Sequence, residues 1–133
     1  MTPSPAIAVH PARILIVDDD RANREVLAII LIHEGFLIET AASGAEALAT
    51  AAKQPFDLVL LDIMMAEMSG YELAATMKSN LATKNIPIIV ITALTDHATR
   101  LRALRAGAAD FLTKPLDRAE LCRRVRKALP IRA

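Results

Sequence analysis

Residues 56–70 read FDLVLLDIMMAEMSG. Leu58 to Leu61 form an unbroken apolar run that ends on a carboxylate, Asp62. A run without polar alternation fits a strand buried on both faces, as in a parallel sheet covered by helices. The aspartate then stands at the strand's carboxyl end, where ligands gather in open α/β sheets. Met64, Met65 and Met68 follow as a loop, and Ser69-Gly70 opens a new helical pattern. Taken alone, Asp62 reads more simply as a helix cap or a solvated loop residue. Its meaning depends on what ends the other strands.

Upstream, residues 13–17 (RILIV) make a first buried strand, followed at once by Asp18, Asp19 and Asp20. Asp20 is placed to cap a helix from Arg21 to Glu34, which Gly35 stops. Residues 36–41 are a more polar strand, expected near a sheet edge, and Ser43-Gly44 leads into a helix from Ala45 to Lys53. Downstream, Tyr71 to Asn80 is a third helix and residues 86–91 (IPIIVI) a fourth strand, with Pro87 tolerable only near its start. Thr92 and Ala93 end that strand. Thr95 to Ala106 is a fourth helix closed by Gly107, and Asp110 to Thr113 a short fifth strand. Lys114-Pro115 follows, and Asp117 caps a last helix reaching about Leu129.

Strand and helix thus alternate five times, which predicts an α/β fold with a doubly wound, five-stranded parallel sheet. Residues 1–12, with Pro3, Pro5 and Pro11, are expected as a flexible tail, 13–129 as one domain and 130–133 as a short end. A chain of 133 residues can bury a real core without staples. Hydrophobic residues make up 53% and aromatics 3%, so that core must be aliphatic. Cys122 is the single cysteine, so no internal disulfide and no zinc ligand set can form, and a reducing, cytoplasmic setting is expected. No apolar run approaches a membrane span, and the N-terminus lacks the pattern of a signal peptide. Net charge is +1 but unevenly spread: residues 1–94 carry 6 basic and 11 acidic side chains, residues 95–133 carry 10 and 4.

In a parallel sheet all carboxyl ends share one edge. With the first, third, fourth and fifth strands adjacent, Asp18, Asp19, Asp62, Thr92 and Lys114 converge there. Clustered carboxylates repel, and a hard divalent cation relieves this; magnesium suits a few carboxylates plus a phosphate oxygen. A lysine and a hydroxyl remain to hold an anion. The set is that of a phosphoryl-transfer site with an aspartate as nucleophile. Each residue also has a plainer reading: the acidic triplet as a helix start, Thr92 as strand filler, Lys114 as a surface lysine before a turn proline. All of these holding at once, each at the end of a different strand, is the weaker explanation.

The chain resembles a response-regulator receiver domain of two-component signalling, of the chemotaxis-receiver type. The matching pieces are ILIVDDD (14–20), DLVLLDIMMAEMSG (57–70), IIVITAL (88–94) and GAADFLTKPL (107–116). The resemblance implies a flavodoxin-like (βα)5 fold with strand order 2-1-3-4-5. It implies Asp62 as the aspartate phosphorylated by a sensor histidine kinase or a histidine phosphotransfer protein. Asp19, Asp62 and the backbone carbonyl of Met64 resemble Mg2+ ligands, with Asp18 supporting through water. Lys114 resembles the lysine that contacts the phosphoryl group, Thr92 the hydroxyl that moves towards it, and Phe111 the aromatic that changes rotamer. Lys114-Pro115 resembles the family's cis peptide. The face of the fourth helix, fifth strand and fifth helix is implied as the output surface and as a route to a homodimer.

This sequence departs from the family at Ala66, where a proline is usual. Met64 and Leu94 hold the two variable positions that influence phosphate loss, and both are apolar. The alternative class is an aspartate-nucleophile phosphatase on a similar sheet; that chemistry usually needs a second acid/base carboxylate and a cap, and no cap insertion is visible. Nucleotide-binding glycine motifs are absent. His10, His33 and His97 have no ligand spacing, and Cys122 reads as a small core residue. The basic residues Arg100, Arg102, Arg105, Arg123, Arg124, Arg126 and Lys127 lack aromatic interleaving, so direct nucleic-acid binding is not expected, nor is membrane association. In the first helix Leu27, Ile30 and Leu31 suffice to face the sheet, which leaves Val26, Ile29 and Ile32 as an apolar stripe near the surface; the resemblance implies a dock there for the helical bundle that carries the donor histidine, and a dimer through the same helix or deeper burial are the plainer readings. Residues 110–121 (DFLTKPLDRAEL) with RRVRKAL also resemble receivers joined to cyclic-di-GMP enzymes, so the chain is expected to stand alone or to be cut from a longer regulator.

Overall fold

The computed structural model describes residues 11–65, 69–93 and 96–129. The strands are β1 (Arg13–Val17), β2 (Leu37–Ala41), β3 (Leu58–Asp62), β4 (Ile88–Thr92) and β5 (Asp110–Thr113). The helices are α1 (Arg21–His33), α2 (Gly44–Lys53), α3 (Gly70–Ser79), α4 (His97–Arg105) and α5 (Arg118–Ala128). All pairings are parallel and the order is β2-β1-β3-β4-β5, as the alternation and the resemblance implied.

The pleat sorts the core into two layers. Leu15, Val17, Val59, Leu61, Ile88, Val90 and Phe111 face α2, α3 and α4, packing on Ala47, Leu73, Met77 and Ala103. Ile14, Ile16, Leu58, Leu60, Ile89, Ile91 and Leu112 face α1 and α5, packing on Leu27, Leu31, Leu121, Cys122 and Val125. β1, β3 and β4 each feed both layers, which is why their sequences show no polar alternation. Removing such a side chain from water contributes about 1.5–3 kcal/mol. Cys122 is buried within this core, in line with its reading as a small core residue, and His33 and His97 are exposed; His10 lies outside the described residues.

The caps explain where the helices begin. Side chains of Asp20, Ser43, Ser69, Asp96 and Asp117 each accept from a backbone N–H of the first turn. The second and third helices therefore start one residue earlier than expected, at Gly44 and Gly70. The fourth starts at His97, after Asp96; the expected start, Thr95, is not a described residue. Gly35 takes a positive φ of 95° just past α1. There the N–H of Phe36 donates back to the Leu31 carbonyl, so β2 begins only at Leu37. The fourth strand begins at Ile88 rather than Ile86 because the Ile86 N–H is taken by the Thr83 carbonyl in the preceding turn. Arg118 and Arg126 both pair with Glu34, tying α5 to the end of α1. Ala12, assigned to the tail, already receives a hydrogen bond from the Leu37 N–H at 2.9 Å; residues 1–10 are not among those described.

Candidate functional site

β1, β3 and β5 deliver Asp18, Asp62 and Lys114 to the carboxyl edge of the sheet. Asp18 continues the set Ile14, Ile16; Asp62 continues Leu58, Leu60; Lys114 continues Leu112. All three therefore fall on the face covered by α1 and α5. The Lys114 ammonium stands between the two carboxylates, 3.1 Å from Asp62 Oδ2 and 3.4 Å from Asp18 Oδ2. Asp62 is only 7% exposed and Asp18 2%. The Lys114-Pro115 peptide is cis.

The backbone orients both carboxylates. The Met64 N–H donates to Asp62 Oδ1 at 2.9 Å, and the Asp20 N–H to Asp18 Oδ1 at 2.8 Å. Each closes a local turn of the kind aspartate side chains form two residues ahead. Arg24, one turn into α1, donates to the Asp18 carbonyl at 2.7 Å. The Lys114 N–H donates to the Thr92 carbonyl at 2.8 Å, so the ends of β4 and β5 are joined beside the site.

Charge explains the remaining balance. Burial pushes the Asp18 carboxyl above its ordinary pKa; the Asp20 amide opposes this, the Asp62 charge adds to it, and Lys114 opposes it in turn. Burial pulls the Lys114 ammonium down, but the hydrogen bond and charge of Asp62, and then Asp18, more than reverse this and leave it raised. One ammonium thus faces two buried carboxylates, with Asp19 exposed next to Asp18 in sequence. Hard oxygen donors with excess negative charge fit a hard divalent cation. Among the described residues no three acidic or histidine side chains already form a closed ligand group.

Thr92 ends β4, wholly buried. Asp62 pairs with Ile91, so Thr92 lies one residue beyond it. By the pleat Thr92 belongs to the other face of the sheet, with Val90 and Phe111. Phe111 pairs with Val90, and Thr92 with Thr113, which puts the hydroxyl and the ring on adjacent strands of one face. Phe111 is buried, with the Arg100 guanidinium 5.3 Å from its ring centroid. Met64 is exposed in the loop after β3, whereas Ala66, Met68 and Leu94 lie outside the described residues.

Two contributors escaped the sequence reading. A Cβ on Gly70 would stand 2.4 Å from Ile63 Cα and 2.8 Å from the Asp62 carbonyl oxygen, so only glycine lets α3 start against the end of β3. The Gly70 N–H also donates to the Ile63 carbonyl at 3.2 Å. Ser69-Gly70 was legible as a helix start, but the loop's return onto Asp62 was not. The other is Arg24, which reads in the sequence as an ordinary surface arginine.

Residues 14–126 match the response regulator receiver domain. This chain belongs to that family. The receiver is 44% identical over 115 residues to response regulator PleD of Caulobacter vibrioides, covering 86% of this chain and 25% of that one. It is 42% identical over 119 residues to response regulator MprA of a Mycobacterium species, covering 90% and 51%. It therefore spans a quarter to a half of these curated relatives. Among solved structures, Vibrio cholerae chemotaxis protein CheY4 superposes with a TM-score of 0.87 at 32% identity, covering 90% of this chain and all of that one. The receiver domain of sensor histidine kinase PA1611 from Pseudomonas aeruginosa, described with a magnesium ion coordinated in its active-site cleft, gives a TM-score of 0.82 at 30% identity and covers 89% and 97%. The receiver is thus part of two-component signalling. Among the described residues no helix is long and apolar enough to cross a membrane.

Proposed function

We propose that this receiver accepts a phosphoryl group from a phosphohistidine onto Asp62 and relays the event to the face of α4, β5 and α5. The observation that carries the reading is the geometry of Asp62: one carboxylate oxygen is fixed by the Met64 amide and the other touches the Lys114 ammonium. The nucleophile is oriented, and a cation is in place for the charge that arrives. In the transfer an Asp62 oxygen bonds to phosphorus, the phosphorus–nitrogen bond of the donor breaks, and its electron pair stays on the imidazole. Lys114 then donates to the phosphoryl oxygens. Magnesium, when bound, offsets the charge on those oxygens. Asp19, Asp62 and the Met64 carbonyl would hold it, with Asp18 acting through water. The Thr92 hydroxyl moves towards the new oxygens, and Phe111, on the same face, shifts with it.

The donor must reach Asp62 over the rim formed by α1 and the Lys114–Leu116 segment. Val26, Ile29 and Ile32 are 56%, 68% and 57% exposed. Beside them runs a groove of about 310 Å3 lined by Val26, Leu27, Ile30, Lys114 and Pro115. An apolar stripe continuous with the site's own lysine suits the helical domain that carries the donor histidine, in a sensor kinase or a phosphotransfer protein. The resemblance of residues 110–121 supports an output connected with cyclic-di-GMP; sequencing the gene past Ala133 and assaying the longer product for that activity tests this.

The function is tested with acetyl phosphate and magnesium. A receiver stops at one hydroxylamine-labile phosphoryl group per chain. Sustained turnover of an added phosphoester would instead make the protein a hydrolase.

A further inference from the structure

We propose that Arg100 is a positioning residue that holds the Phe111 ring in its buried place, and so sets how readily the output face switches. This rests on the reading of Phe111 as the moving aromatic. The Arg100 guanidinium lies 5.3 Å from the Phe111 ring centroid, within the range of a cation–π contact. Among the described residues the Arg100 side chain makes no ion pair and no hydrogen bond, although its helix neighbour Arg102 sits on Tyr71 and Arg124 in α5 is bound by Asp110 and Glu120.

Phe111 is 7% exposed and packs in the layer with Ala103 and Ala108, so Arg100 stands between the ring and solvent. Next to the pair is a shallow groove of about 170 Å3 lined by Arg100, Leu104, Ala109, Asp110, Phe111 and Arg124. A cavity of about 150 Å3 accommodates benzene, so this groove has room for the ring when it swings out. The opposite wall is held: Arg124 Nη1 donates to both Asp110 oxygens at 2.8 Å, which ties α5 to β5. Among the described residues nothing else fixes Arg100, which extends from α4. It is therefore the wall of the groove that can move, and its charge on the ring's face favours the inward position.

A cation–π contact at an exposed site shifts a two-state equilibrium by about two- to five-fold. The chain has three phenylalanines, so 4-fluorophenylalanine labelling resolves Phe111 in a 19F spectrum, and a solvent isotope shift reads its exposure. We expect Arg100→Ala and Arg100→Met each to move the ring population outward by about two- to five-fold, with Arg100→Lys keeping part of the effect. Because a ligand and a conformation favour each other equally, both variants should also bind magnesium with beryllofluoride, a phosphoryl mimic, more weakly by the same factor. An unchanged ring population in Arg100→Ala overturns the proposal. So does full restoration by Arg100→Met, since packing by the aliphatic stem would then suffice. A ring that shifts in these variants while beryllofluoride leaves it unmoved in the wild type keeps the latch and refutes Phe111 as the switch.

Discussion

Replacing Gly70 by alanine puts one methyl group against the end of β3. Its nearest neighbours would be Ile63 Cα at 2.4 Å, the Asp62 carbonyl oxygen at 2.8 Å and Ile63 Cγ2 at 2.8 Å. Two of these are backbone, and none is the free end of a long side chain. To reach ordinary contact the start of α3 and the end of β3 must part by roughly 0.6–1 Å, and misplacement on that scale far from the chemistry can slow a reaction by about 10²-fold. Overpacking of this kind costs about 1–3 kcal/mol. The usual effect of Gly→Ala in a compatible backbone is the reverse, a gain of about 0.4–1 kcal/mol. The sign therefore decides the matter. For a loss of about 2 kcal/mol and a urea slope of roughly 1.5 kcal/mol per molar, the unfolding midpoint falls by about 1.3 M. Loading from acetyl phosphate should slow at the same time, because the shifted backbone carries Asp62 and the Met64 amide that orients it. An unchanged or raised midpoint would refute the claim that this glycine holds the loop against the site.

Three further outcomes are expected. Asp19→Ala should weaken magnesium binding while leaving the Asp62–Lys114 contact in place; equal affinity by titration would put the ion elsewhere. With apolar Met64 beside the site, the phosphoaspartate should be long-lived and Met64→Asn should hasten its loss; equal decay rates would remove side-chain polarity here as the control. Glu34 is held below its ordinary 4.5 by the Arg126 hydrogen bond and then, against burial, by Arg118. A carboxylate with a lowered folded pKa contributes stability present above its unfolded value and lost as pH falls through the folded one. Wild type should thus lose stability more steeply than Glu34→Gln below about pH 4.5, and parallel curves in urea titrations would count against the clamp.

The fold was legible because the buried strands announce themselves. RILIV, LVLLD and IIVIT carry no polar alternation, and in the structure each sends side chains into both layers. The aspartates and serines before the helices were legible for a local reason too, since a cap acts within one turn. Convergence of Asp18, Asp62 and Lys114 followed from strand order alone. What stayed hidden depends on approach in space. The place of Thr92 on the opposite face from Asp62 follows from a register set by neighbouring strands, which no single strand encodes. The crowding at Gly70 needs the path of a loop, and the Arg100–Phe111 contact needs the distance between α4 and β5. Exposure of Val26, Ile29 and Ile32 was readable because α1 has more apolar residues than one buried face can use.

Whether Asp62 is the group that becomes phosphorylated is decided by one comparison. Wild type and Asp62→Asn are incubated with acetyl phosphate and magnesium, and the intact chains are weighed by mass spectrometry. The carboxamide keeps the size of the side chain but removes the nucleophilic oxygen that Lys114 contacts. The expected result is a single phosphoryl adduct on the wild type, lost with hydroxylamine, and none on Asp62→Asn. An adduct of equal yield on Asp62→Asn would contradict it and move the chemistry to another residue.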